Sequence, residues 1–338
     1  MLPETVGLLL SDEVARQEGA RLAGLAKAAG ISVRCYAPDQ ARAHPDRIHA
    51  AFFSRDLYEG STLRTPGPLS NTFFEVADAA PQLRWLHVCS SGLDLPQYAA
   101  VLSRGVRVTS SLGSTAIPIA QTALAAILAL TRGFGHWLPA QARKQWAPLA
   151  GPDKPRETAV QRALVVGGAG AIGRELGRLL CAVGFKTTAV RRTATPTPGY
   201  EETIDFSQLD AALPHCDWLV LAVPLTEETR NLMDARRLAL LPRHAGIANV
   251  ARGELVDEAA LTRALQAGEL AAAYLDVFAQ EPLPAHSPLW DLPNVWITPH
   301  NSAASQGHEQ RVVEIFVREY TSWLASLGDS TTSGACQP

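Results

Sequence analysis

Gly168, Gly170 and Gly173 stand in G-x-G-x-x-G spacing directly after an apolar run at 163–166, and Ile172, Leu176, Leu179 and Leu180 follow at helical period. The spacing suits a pyrophosphate. The first glycine permits a tight turn and the second, next to Ala171, leaves the backbone bare where phosphates approach. The third lets helix and strand pack closely, with the helix N-terminus directed at the anion. Glycine-rich turns also occur for packing alone. Here the strand before, the amphipathic helix after and a second strand at 187–190 favour the dinucleotide reading. Three titratable groups also lie at or just past the ends of predicted strands: Arg252 in N-V-A-R-G-E, Glu281 in F-A-Q-E-P-L-P and His300 in I-T-P-H-N-S. Singly, each has an ordinary reading as a turn arginine, a solvated glutamate or a structural histidine. Strands of a doubly wound sheet aim their C-terminal ends at one crevice, so together the three converge on the nicotinamide end of a bound cofactor.

The elements that must position them alternate strand and helix. Beyond the glycine unit, strands are predicted at 218–223 (ending in Val223 before Pro224), 246–250, 271–276 and 295–297, with helical stretches at 228–231, 234–241 and 257–267. With 163–166 and 187–190 this makes a doubly wound sheet of about six strands. The first hundred residues show the same α/β alternation, with strands at 6–10, 32–36, 50–53 and 85–88 and helices at 12–29 and 71–78; a further strand follows at 106–109. The C-S-S-G-L-D turn after Val88 reads either as a plain turn or as a ligand loop. A long apolar helix is predicted at 119–131. The aperiodic stretch 132–157, with Trp137 and Trp146, reads as an arm or dimer contact. An amphipathic helix covers 305–327, and the Ser/Thr/Gly-rich tail 328–338 reads as disordered.

A chain of 338 residues, 47% hydrophobic and 19% charged, has material for two full cores. The net charge of −3 offers no basic stripe for nucleic acid, and no apolar run approaches the roughly 18 residues of a membrane span. The short apolar run at 6–10 lacks the flanks of a signal peptide, so a cytoplasmic location is expected. Five cysteines, at 35, 89, 181, 216 and 336, form no C-x-x-C pair. They read as buried, reduced thiols, and no metal site is indicated.

From S-S-G-L-D through V-V-G-G-A-G-A-I-G, A-V-P-L-T-E-E-T-R, N-V-A-R-G-E-L-V-D-E, Y-L-D-V-F-A-Q-E-P-L-P and T-P-H, residues 85–302 resemble the D-isomer-specific 2-hydroxyacid dehydrogenase family, glyoxylate/hydroxypyruvate reductases included. The resemblance implies two Rossmann-like doubly wound domains, a dinucleotide-binding domain (114–299) inserted into a flavodoxin-like substrate domain (1–113 and 300–338), and a homodimer. It implies that Arg252 binds the substrate carboxylate and polarises the carbonyl. By the same resemblance His300 is the general acid, and Glu281 orients its imidazole and favours the protonated form. Asp276 would meet the nicotinamide carboxamide, and the Ser91 and Gly92 amides the substrate carboxylate.

The sequence departs from its relatives in places. Asn301-Ser302-Ala303 replaces the common I-A-G or I-G-G, making the wall beside His300 more polar. Arg55, after a substrate-domain strand, is either a solvated loop residue or an added cation. Where NAD-selective relatives carry a carboxylate at the end of the second strand, this chain has Arg191 followed by Arg192, which implies NADP(H) ahead of NAD(H). Two alternatives are formate oxidation, which needs no acid–base pair, and a cofactor-sensing corepressor that binds partner peptides without turnover.

Overall fold

A computed structural model describes residues 5–61, 66–93, 95–151 and 154–332. The chain divides into two compact units, Met1–Ser114 with Gln306–Pro338, and Thr115–Ser305.

The first unit is built on five parallel strands: β1 (Thr5–Leu9), β2 (Ser32–Tyr36), β3 (Ile48–Phe53), β4 (Trp85–Val88) and β5 (Arg107–Ser110). Their order, β2-β1-β3-β4-β5, is flavodoxin-like. The middle strands are short apolar runs buried on both faces, as parallel sheets require. The last helix, His308–Thr332, belongs here because Val312, Phe316, Tyr320, Trp323 and Leu324 form one buried stripe along it. Phe316 stacks on Phe52 with ring centroids 4.1 Å apart, and Trp323 lies 5.3 Å from Trp85. The helix runs on through Thr332, which corrects the expected disorder for 328–332; once a packed stripe has nucleated a helix, propagation is cheap. Residues 333–338 lie outside the described residues. The helix Pro96–Ser103 has no counterpart in the sequence expectations, its eight residues carrying too little period.

The second unit holds seven parallel strands, β6 (Arg162–Val166), β7 (Lys186–Arg191), β8 (Glu202–Asp205), β9 (Trp218–Leu221), β10 (Gly246–Asn249), β11 (Ala272–Leu275) and β12 (Val295–Ile297). They are ordered β12-β11-β10-β9-β6-β7-β8, so the order reverses between β6 and β9. The strand beyond the expected six is β8, an edge strand reading E-T-I-D in which only Ile204 is buried. Along β6 the side chains alternate. Ala163 and Val165 pack with the helices Ala116–Thr131 and Ala171–Ala182, while Leu164 and Val166 join Leu219, Leu221 and Ile247 on the other face. The expected arm begins with a helix, Phe134–Ala142, and Trp146 beyond it is 97% exposed. Among the described residues no single helix is long and apolar enough to cross a membrane, and four cysteines are free thiols: Cys89 and Cys216 are buried as expected, whereas Cys35 is half-buried and Cys181, on a helix face, is exposed. Cys336 lies outside the described residues.

Candidate active site

The turn after β6 divides its labour among four glycines. Gly167, at φ +91°, makes the sharp reversal, and Gly170 N donates to Gly167 O at 2.9 Å. The turn role expected of Gly168 thus falls to Gly167, where a Cβ would stand 2.3 Å from the Ala222 carbonyl oxygen. Gly168 is buried against β7, its Cβ position 2.6 Å from Ala189 Cβ, and Gly173 lets the helix close onto Gly167 O. Gly170 is exposed and caps the helix Ala171–Ala182 with no side chain bonded across the first turn, so the first N–H groups, at Ala171, Ile172 and Gly173, are left for an anion. Val223 and Pro224, just past β9, run alongside; the Val223 nitrogen lies 2.8 Å from the Cβ position of Gly167. Bare backbone and unspent N–H groups fit a dinucleotide pyrophosphate.

Tyr200 was not singled out in the sequence, where it is one tyrosine in a polar loop. Its hydroxyl donates to Gly173 O, and its ring fills the space left by Gly177, whose Cβ position would be 2.3 Å from it. The loop after β7 is thereby pinned to the first turn of the phosphate-side helix. Where β7 ends, Arg191 donates from Nη1 to Thr195 O at 3.3 Å, and Arg192 is exposed. Asp205, opposite Arg191 in the β7–β8 register, accepts from Ser207 N at 2.9 Å and Ser207 Oγ at 2.5 Å, so this carboxylate is spent on its own turn.

Arg252, Glu281 and His300 are assembled at the C-terminal ends of β10, β11 and β12. Asn249, 1% exposed, ends β10 and ties the next turn from both sides: its Oδ1 accepts from Ala251 N at 3.1 Å, and its Nδ2 donates to Arg252 O at 2.8 Å. The visible signal for it was a lone polar residue closing the strand G-I-A-N. Gly253 brings this turn against Phe278 and Ala279, since a Cβ there would lie 1.9 Å from the Phe278 carbonyl carbon. Glu258 secures the far side by accepting from Ala279 N at 2.9 Å.

Glu281 accepts from Phe278 N at 3.0 Å through Oε1, and its Oε2 lies 2.8 Å from His300 Nδ1. Burial alone would raise this carboxyl. The hydrogen bonds from His300 and Phe278 N–H, with the charges of His300 and Arg252, outweigh it and hold Glu281 below the usual carboxylate range. An ionised carboxylate only accepts, so Nδ1 of His300 carries a proton and Nε2 is the ring atom left for chemistry. His300 sits at φ +50°, uncommon for a residue with a Cβ, and its N–H donates to Asp276 O at 2.8 Å. Asp276 is 2% exposed and turns its carboxylate onto the same loop.

In the other unit, Ser91 and Gly92 follow β4, and Ser90 Oγ donates to Gly92 O at 2.8 Å. The loop rests on a buried network. Ser111 Oγ donates its proton to Val88 O at 3.1 Å and so accepts from His87 Nε2, which leaves His87 Nδ1 to accept from Thr109 Oγ1 at 2.8 Å; Thr109 Oγ1 in turn accepts from Trp85 Nε1 at 2.9 Å. The His87 Nε2 to Ser111 Oγ bond is 3.0 Å, and Ser111 N donates to Ser90 O at 3.0 Å. Burial, reinforced by the Arg318 charge, pushes His87 down to about 3, so it stays neutral and its tautomer is set. Arg55 is exposed after β3, its guanidinium 6.0 Å from the centre of the Tyr58 ring.

Comparison with known proteins agrees with this architecture. Residues 124–302 match the family model described as D-isomer specific 2-hydroxyacid dehydrogenase, NAD binding domain. A glyoxylate reductase of Thermofilum pendens is 34% identical over 258 residues, 72% of this chain and 73% of that protein. The crystal structure of a D-isomer specific 2-hydroxyacid dehydrogenase from Xanthobacter autotrophicus, in complex with NADPH and MES, aligns with a TM-score of 0.69 and 30% identity, covering 95% of this chain and 96% of that one. An NADPH-dependent glyoxylate/hydroxypyruvate reductase from Sinorhizobium meliloti, in complex with NADP and sulfate, aligns with a TM-score of 0.68 and 27% identity, again over 95% and 96%. The chain belongs to the D-isomer specific 2-hydroxyacid dehydrogenase family.

Proposed function

We propose that the protein reduces small 2-oxo acids, of the glyoxylate and hydroxypyruvate kind, to D-2-hydroxy acids with NADP(H) in preference to NAD(H). The observation that carries this reading is the 2.8 Å pair between His300 Nδ1 and Glu281, in the same unit as Arg252 and the glycine turn. The reduced nicotinamide, when bound, supplies a hydride to C2 of the oxo acid. The chain's own residues manage the charge. Arg252 offers a rigid two-donor fork to the substrate carboxylate and draws density from the carbonyl. His300 gives a proton from Nε2 to the carbonyl oxygen as it becomes an alkoxide, while Glu281 keeps Nδ1 protonated and the ring in place. Formate oxidation creates no alkoxide and makes no use of such a pair. The relatives' names, glyoxylate reductase and glyoxylate/hydroxypyruvate reductase, support the substrate class. We further propose a cytoplasmic homodimer, with the exposed side chains of Phe134, Trp137, Leu138 and Trp146 as the covered surface.

The test is a panel of 2-oxo acids of increasing size, followed by NADPH oxidation with the purified chain. Turnover of glyoxylate or hydroxypyruvate is expected. No turnover of any 2-oxo acid with either coenzyme would overturn the reading and favour a sensing, non-catalytic role. Arg252→Lys keeps the charge and loses the fork, so KM for the oxo acid should rise and kcat fall while coenzyme affinity measured by titration stays near normal. Unchanged kinetics in that variant would remove the bidentate contact from the account.

A further inference from the structure

We infer that Asp276, with the hydroxyls of Thr298 and Ser302, is a positioning device that keeps the His300 imidazole on Glu281. The inference rests on the reductase reading and adds to it residues that act through His300.

The Asp276 carboxylate, at the end of β11 and 2% exposed, takes four donors, all from residues 298–302. Oδ1 accepts from Thr298 Oγ1 at 2.6 Å, Asn301 N at 2.9 Å and Ser302 N at 3.0 Å, three donors shared between two lone pairs. Oδ2 accepts from Ser302 Oγ. The Asp276 main chain joins in, its carbonyl accepting from His300 N at 2.8 Å and its N–H donating to Asn249 O at 3.0 Å. Since the Thr298 proton goes to Asp276, the Tyr274 phenol donates to Thr298 at 2.8 Å and extends the chain of donors back onto β11. The clamp therefore grips the residues on both sides of His300.

What it holds is a conformation the loop would not keep alone. His300 stands at φ +50°, where a side-chain-bearing residue persists only if its surroundings over-determine it. Relaxation toward ordinary backbone angles swings the imidazole away from the Glu281 carboxylate, now 2.8 Å off, and misaims Nε2. A carboxylate serving only the nicotinamide carboxamide would have no need of both hydroxyls.

Thr298→Val and Ser302→Ala, singly and together, remove the two hydroxyl donors at nearly constant volume and leave Asp276 in place. In the double variant kcat for hydroxypyruvate should fall on the order of 10²-fold, as misplacement of a proton donor by about an ångström does, with the NADPH KM within about twofold of normal. Thr298→Ser, which restores a donor, should recover most of the loss. The second readout needs no turnover: the downfield His300 Nδ1–H proton resonance, assigned by its absence in His300→Ala, should broaden or vanish in the double variant. An unchanged resonance with unchanged kcat overturns the inference, and so does an unchanged resonance with a raised NADPH KM, which would assign the carboxylate to the coenzyme. If the wild-type chain turned over no oxo acid yet the resonance was lost on substitution, the reductase reading alone would fall. Should the double variant not fold, the resonance in Ser302→Ala decides the matter.

Discussion

His300→Ala is expected to lower kcat for oxo-acid reduction on the order of 10²–10⁴-fold, the range for loss of a positioned general acid. Coenzyme binding should survive, because the imidazole is bonded to Glu281 and the glycine turn is built from other strands. Glu281→Gln tests the same step from the other side. Reduction consumes a proton from His300, so activity falls as pH rises through the titration of the complex. The ionised carboxylate, held below its usual range, is the counter-charge that favours a proton on the ring. With glutamine there, the alkaline limb of the kcat profile should move toward acid and the rate at neutral pH should drop. A profile that superimposes on the wild type would take Glu281 out of the mechanism.

The second large effect concerns the coenzyme. Arg191 closes β7 and Arg192 follows it, and the strand partner of Arg191, Asp205, is bonded to Ser207. Two guanidinium groups offer charge-assisted donors to a 2′-phosphate that a carboxylate would repel. The unmodified enzyme should favour NADPH over NADH by at least about tenfold in kcat/KM, a gap of only ~1.4 kcal/mol. Arg191→Asp should weaken NADPH use far more than NADH use, in kinetics and in direct titration of the free enzyme. Equal efficiency with both coenzymes before substitution would contradict the assignment.

Much of this fold was written in short-range patterns. Runs such as L-V-V, W-L-V-L and A-A-Y-L announce central strands because both faces are buried, and the three chemical residues are conspicuous because each closes or follows such a run. The edge strand β8 was illegible for the complementary reason: E-T-I-D needs only Ile204 inside. Gly167 and Gly168 are adjacent glycines, and only the backbone angle tells which one turns. Tyr200 on Gly173, Gly253 against Phe278 and Asp276 under Ser302 join residues 25–27 positions apart. No local period carries such pairs. The left-handed backbone of His300 is equally silent in the sequence, since the groups that bond it, Asp276 and Glu281, lie about 20 residues away.

In the proposed reaction hydride goes to C2 of an oxo acid while His300 protonates its oxygen. The most direct measurement is incubation of the purified chain with hydroxypyruvate and NADPH carrying deuterium at the transferable C4 position, followed by mass spectrometry and chiral analysis of the product. D-Glycerate with one deuterium at C2 is the expected product. L-Glycerate, product without deuterium at C2, or no reduced acid from either hydroxypyruvate or glyoxylate would contradict that transfer.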